Sequence, residues 1–218
     1  MAKATASEIL EIRPIEIQMA KIRIVGDTPL IMHAWSEKAK REMLEKQMKV
    51  TKTTAKTAKN PVEDFIRSMY WLTDMPTEMT MEAFEKAIDA GAKFGFPITA
   101  FKQAAISAAY RMGWAKDKMS LRGAFFIEGD ENQMLEIKSD KPEMREDMVK
   151  VGMGTADIRY RGEFQNWYAD MTIKFNANGQ YTLEQIINII NAGGYVCGVG
   201  EWRPERDGQY GMFHVAAN

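Results

Sequence analysis

The chain has 218 residues, with 29 basic and 30 acidic side chains and a net charge of -1. That balance argues against a generic polyanion binder, and the length suffices to bury a real core. One cysteine, Cys197, and two histidines leave no intramolecular disulfide framework, argue against structural zinc and fit a reducing cytoplasm.

Neither a run of membrane-spanning length nor a signal-peptide pattern is expected from the sequence. Residues 8–17, "EILEIRPIEI", alternate as an edge strand broken by Pro14, whose ring has no N–H to donate. Residues 20–26, "AKIRIVG", predict a cleaner strand with Ile22 and Ile24 on one face. Ser36 is the expected N-cap of a charged helix reaching about Lys49. Residues 50–59 lack periodicity and are expected to form a flexible finger. Asn60 with Pro61 and Glu63 predicts a helix start. Thr80 and Thr99 predict caps for helices over about 81–93 and 100–112. The second of these carries Ala105, Ala108, Ala109 and Met112 on a narrow stripe and ends at Gly113.

From 121 the pattern becomes strand-like. "LRGAFFIEG" and "QMLEIKS" flank "DEN" as a hairpin, and "TADIRYRGEF" and "WYADMTIKFN" alternate as strands. In the last of these, Trp167, Ala169, Met171, Ile173 and Phe175 share one side. Thr182 and Gln185 form a capping box for a helix carrying Leu183, Ile186, Ile187 and Ile190, expected to close at Gly193 and Gly194. A glycine-rich loop and a final strand, "QYGMFHV", follow. The order predicts an α+β fold: a ferredoxin-like, RNA-recognition-like antiparallel sheet with helices on one face. One elaborated domain over 1–218 is expected, with a strand at 20–26, a helical insertion at 36–113 and a β-β-α-β part at 121–215.

Three stretches suit nucleic-acid chemistry. Lys49, Lys52, Lys56 and Lys59 lie in an acid-free run and would follow a phosphate backbone without reading sequence. Arg159 and Arg161 share one strand face with Tyr160 on the other, an interleaving that also occurs when the aromatic is simply interior. The loop offers Gly198, Gly200 and Gly208 as backbone phosphate contacts, Arg203 and Arg206 as charged donors, and Trp202 and Tyr210 as stacking surfaces. Its acids, Glu201, Glu205 and Asp207, could equally hold the arginines internally.

Glycines 193, 194, 198, 200, 208 and 211 around Val199, followed by "MFHV", resemble the glycine-rich loop between last helix and last strand of the RAMP superfamily, the RNA-binding subunits of CRISPR systems. The likeness covers about 167–215 and "KIRIVG". The intervening "EWRPERDGQYG" departs from it by interposing acids. The resemblance implies binding of RNA or single-stranded DNA, with head-to-tail oligomerisation along the strand, allows a phage or mobile-element version, and does not by itself imply catalysis. A non-catalytic homo-oligomer or subunit of a larger complex, with no cofactor or metal, is the expectation. His33 occupies the region where repeat-cleaving members carry a general-acid/base histidine. A metal-independent endoribonuclease using His33, with Tyr70, Tyr168 or Lys38 as its partner, is therefore the alternative. His214, inside a strand, reads as structural. A protein-interaction module, such as a phage structural or defence-inhibiting protein, is the third reading. Phosphate-loop, zinc-protease, nucleophile-elbow and dinucleotide motifs are absent from the sequence, and acids such as Asp130, Glu131, Glu146 and Asp147 follow no metal spacing.

Overall fold

In the computed structural model, residues 14–35, 37–49, 58–151 and 154–217 are described. The edge strand before Pro14, the Ser36 cap, Lys52 and Lys56 lie outside them, as does the Lys38 side chain.

Alternation in β8 (Tyr168–Asn176) builds the principal sheet. Ala169, Met171, Ile173 and Phe175 turn inward and are buried, while Asp170 and Lys174 face out. β8 pairs antiparallel with β1 (Ile17–Gly26) on one side and β4 (Phe125–Glu128) on the other. β9 (Phe213–Val215) adds to the far edge of β1, giving the order β4-β8-β1-β9. A second sheet joins β2 (Leu30–Met32), β7 (Thr155–Phe164) and β6 (Glu143–Val151) in the order β2-β7-β6. A third pairs β3 (Phe94–Pro97) with β5 (Met134–Ile137). The architecture is mixed α+β, with antiparallel sheets and six helices among the described residues.

The helices are α1 (Glu37–Gln47), α2 (Pro61–Arg67), α3 (Met81–Asp89), α4 (Ile98–Arg111), α5 (Lys118–Arg122) and α6 (Leu183–Val196). Asn60, Thr80 and Thr182 cap as their side-chain chemistry predicts, and Gln185 completes the box. Thr99 does not cap α4. That helix starts two residues earlier than expected, at Ile98 behind Pro97, and has no side-chain cap bond. Nor is 36–113 uniformly helical: α3 stops at Asp89, and the buried "FGFP" of β3 follows.

The expected hairpin also parts. Asp130 does hold a tight turn, accepting from the N–H groups of Asn132 and Met134 at 2.9 and 2.8 Å. Its two arms nevertheless enter different sheets, β4 joining β8 and β5 joining β3. Tertiary partners override the local hairpin signal.

Phe101 of α4 packs edge-on to Phe213 of β9, with ring centroids 5.6 Å apart, and Phe213 meets Trp167 at 6.0 Å. All three are buried, each worth about 1.5–3 kcal/mol of apolar burial. The Trp167 indole N–H donates to the Thr28 carbonyl at 2.8 Å. On α4, Ala105, Ala108 and Ala109 are buried as expected, whereas Met112 is largely exposed.

Gly193 and Gly194 do not close α6. The helix runs through both of them to Val196. A Cβ on Gly193 would stand 2.7 Å from the Ala105 nitrogen of α4, and one on Gly194 would lie 1.9 Å from the Phe213 carbonyl oxygen of β9. The pair is there for close approach of three elements, not for termination. Gly194→Ala should therefore destabilise the protein by about 1–3 kcal/mol through overpacking. Chemical denaturation should read this as a lowered midpoint with an unchanged slope.

Candidate functional site

The loop between α6 and β9 is rigidly laced to its surroundings. Val199 N–H donates to the Gly211 carbonyl at 2.9 Å, Glu201 N–H to Ile31 at 3.0 Å, and Gly211 N–H to Pro29 at 2.8 Å. Gly198 N–H donates to Gly193, and Gly208 N–H to Arg203. Pro204–Arg206 form a 3-10 turn inside it. Gly200 has φ 80°, and a Cβ there would meet the Ile31 carbonyl oxygen at 2.5 Å. The glycines thus serve close backbone packing, and the N–H groups of Gly198 and Gly208 are already spent on carbonyls.

Beside this loop lies a cleft of about 180 Å³, lined by His33, Tyr70, Gln103, Glu201, Arg203 and Glu205 among others. His33 follows β2, and its Nδ1 lies 3.5 Å from Glu201 Oε1. The His33 hydrogen bond, followed by the charge of nearby Arg161, holds the Glu201 carboxyl below its ordinary value against the opposing effect of burial. Burial first, and then the negative Glu201, push the Tyr70 hydroxyl upward, so it keeps its proton. His33 is about one-third exposed rather than enclosed in apolar surroundings.

Behind the cleft sits Arg161, only 5% exposed. Its Nη1 meets Asp147 Oδ2 at 3.1 Å and its Nη2 meets Glu201 Oε2 at 3.5 Å, with His33 Nδ1 equally near. Its Nε is buried with no partner among the described residues. Arg145 of β6 extends the network to Asp147 at 2.8 Å and Glu163 at 2.7 Å, and its guanidinium lies 4.5 Å from the Tyr210 ring centroid. In front, Arg203 binds Glu205 at 3.1 Å and the Gly200 carbonyl at 2.9 Å, while Arg111 of α4 binds the same Glu205 at 2.9 Å. Burial raises the neighbouring Cys197 thiol, keeping it neutral.

The structure brings His33, Tyr70, Arg203, Gly198 and Gly200 to one cleft. Arg161 stands behind it as a buried structural charge, not on an open strand face. Arg159 and Lys59 lie elsewhere, flanking Asp157 at 2.8 and 2.9 Å, and Lys59 also donates to the Ile158 carbonyl. The Lys59 hydrogen bond, then the Arg159 charge, holds the Asp157 carboxyl low. Lys49 is exposed at φ 56°. Trp202 is 37% exposed, and Arg206 is exposed with no ion pair among the described residues. Tyr210 is partly covered by Arg145. Tyr168 is not part of the cleft lining; it sits between Arg23 and Lys138, at 4.8 and 5.6 Å. His214 pairs with Asp27 at 2.6 Å on the surface.

Sequence reasoning does not single out Arg145 or Gln103, and names Asp147 only among acids that follow no metal spacing. A signal existed in "EMREDMVKV", where Arg145 and Asp147 are spaced by two on a strand. Register alone sets Arg145 opposite Arg161. Among the described residues no three His, Cys, Asp or Glu side chains gather into a group that could hold a metal. No helix among them is long and apolar enough to cross a membrane. No protein-family model matches the chain, and no curated protein matches it either.

Removing one partner of a buried ion pair costs about 3–5 kcal/mol, because the other charge is left uncompensated. Arg161→Ala removes one of the two cations on Asp147 (7% exposed), which keeps Arg145 at 2.8 Å, so the loss should fall at the lower end of that scale, about 3 kcal/mol. Arg159→Ala, at an exposed pair, should lose less than about 1 kcal/mol. Equal losses in paired denaturation curves would contradict the assignment of Arg161 as the structural charge.

Proposed function

We propose that the chain binds single-stranded nucleic acid on a ferredoxin-like, RAMP-like framework. The observation that carries this reading is the order of the four-stranded sheet. Counted among its own members, the strands run second, third, first, fourth, with α4 between the first two and α6 between the last two. The glycine-rich loop falls between that last helix and last strand. In this view the β2-β7-β6 and β3-β5 sheets are elaborations of the framework.

Trp202 and Arg206 at the loop surface supply stacking and charge, and Lys49, Lys52 and Lys56 a sequence-blind grip on phosphates, while Lys59 is engaged by Asp157. Arg203, Arg161 and Arg159 are engaged with Glu205, Asp147 and Asp157, so their role is to hold the framework that presents these groups. Binding of a labelled oligonucleotide should weaken steeply with added salt. Trp202→Ala should cost about 1–3 kcal/mol of affinity, and reversing Lys49, Lys52 and Lys56 should weaken all sequences alike. Absence of binding to any single strand at low salt would sink the proposal.

A second reading, a metal-independent endoribonuclease, draws support from the shared cleft of His33 and Tyr70. His33 would take the 2′-hydroxyl proton, and Tyr70, kept protonated, would donate to the leaving oxygen. Cleavage of RNA in EDTA that disappears in His33→Ala but persists in His214→Ala is the outcome that favours it. Intact RNA with the parent protein removes it.

A further inference from the structure

β1 is longer than the strand beside it. Its pairing with β8 runs from Ile17 to Val25, whereas β9 covers only Ile24 to Gly26. The Arg23 carbonyl accepts from Ala216 N–H on the β9 side at 2.8 Å, and Glu16, seven positions earlier, faces β8 through the Ala177 N–H. Backbone groups alternate sides along a strand, so those of Ile17, Met19 and Lys21 also face the β9 side. Among the described residues nothing bonds them there. Ile17 and Met19 are 53% and 58% exposed, and Lys21 is exposed beyond them. Such an apolar, unpaired edge is a template for strand addition.

We propose that this edge receives an antiparallel strand from residues 8–12 of a second copy of the chain. The segment Glu8-Ile9-Leu10-Glu11-Ile12 puts Glu8, Leu10 and Ile12 on one face. Set antiparallel, Glu8 meets Lys21, Leu10 meets Met19 and Ile12 meets Ile17. An acid opposes the cation and apolar side chains oppose apolar ones.

The same register within one chain would need the chain to reverse through 13–16. Pro14 and Glu16 are instead held alongside the turn after β8. The Glu16 carbonyl accepts from Ala177 N–H at 2.7 Å, and the Pro14 carbonyl accepts from the Asn178 side chain at 3.1 Å. The chain therefore enters β1 in line with it, with thirteen residues preceding Pro14. Donor segment and acceptor edge are different surfaces of one copy, so copies associate either by exchanging segments as a closed pair or by repeating the contact from copy to copy.

Sedimentation velocity of the nucleic-acid-free full chain over a wide concentration range tests this independently of any binding activity. The full chain should form assemblies that grow with concentration. A chain lacking residues 2–13 should sediment as a monomer and bind an added peptide of residues 5–13. Met19→Pro should also sediment as a monomer, and should stay folded by circular dichroism, since its N–H points at the open edge and serves no bond inside the copy. A full chain that remains monomeric throughout, or a truncated chain that assembles as the full chain does, overturns the proposal.

Discussion

A buried guanidinium organises the cleft end of this molecule. Arg161 cannot be left uncompensated in the interior, so the elements around it must bring it carboxylates. β6 supplies Asp147 across the strand pair, and the loop supplies Glu201 from the other direction. Glu201 in turn bonds His33 at the end of β2. One buried charge thereby ties the second sheet, the glycine-rich loop and the first strand turn to a common point. The cleft's shape and electrostatics follow from it.

The loop's composition becomes intelligible in this light. Its glycines let backbone approach backbone, as at Gly200 over Ile31, and its acids neutralise arginines from elsewhere in the fold. Arg203 and Glu205 lock one part of the loop, with Arg111 reaching in from α4. What is left facing outward is small: Trp202, Arg206, Asp207 and Gln209. A rigid loop presenting an aromatic and a cation loses little conformational entropy on meeting a partner.

The helix-and-sheet body depends on a different constraint, the close contact of α6 with α4 and β9. Ala105 against Gly193, and Phe213 against Gly194, bring backbones nearer than side chains would allow. The aromatic contacts among Phe101, Phe213 and Trp167 then fill the space beneath. In one dimension, two glycines after an apolar stripe read as a helix stop. In three dimensions they are a packing surface.

Elements whose signals are local can be read in one dimension. The alternation of β8, the caps at Asn60, Thr80 and Thr182, and the apolar stripe of α6 arise from side chains within a few residues of the backbone they govern. The alternation of α+β elements and the place of the loop were legible for the same reason. Long-range packing is what parts the arms flanking Asp130 into two sheets, buries Arg161 rather than displaying it, and gathers His33, Tyr70 and Glu201 in one cleft. Those outcomes rest on strand register and on contacts between residues more than a hundred positions apart, such as His33 and Glu201, where the cost of burying a charge selects the partner and no local pattern records the choice.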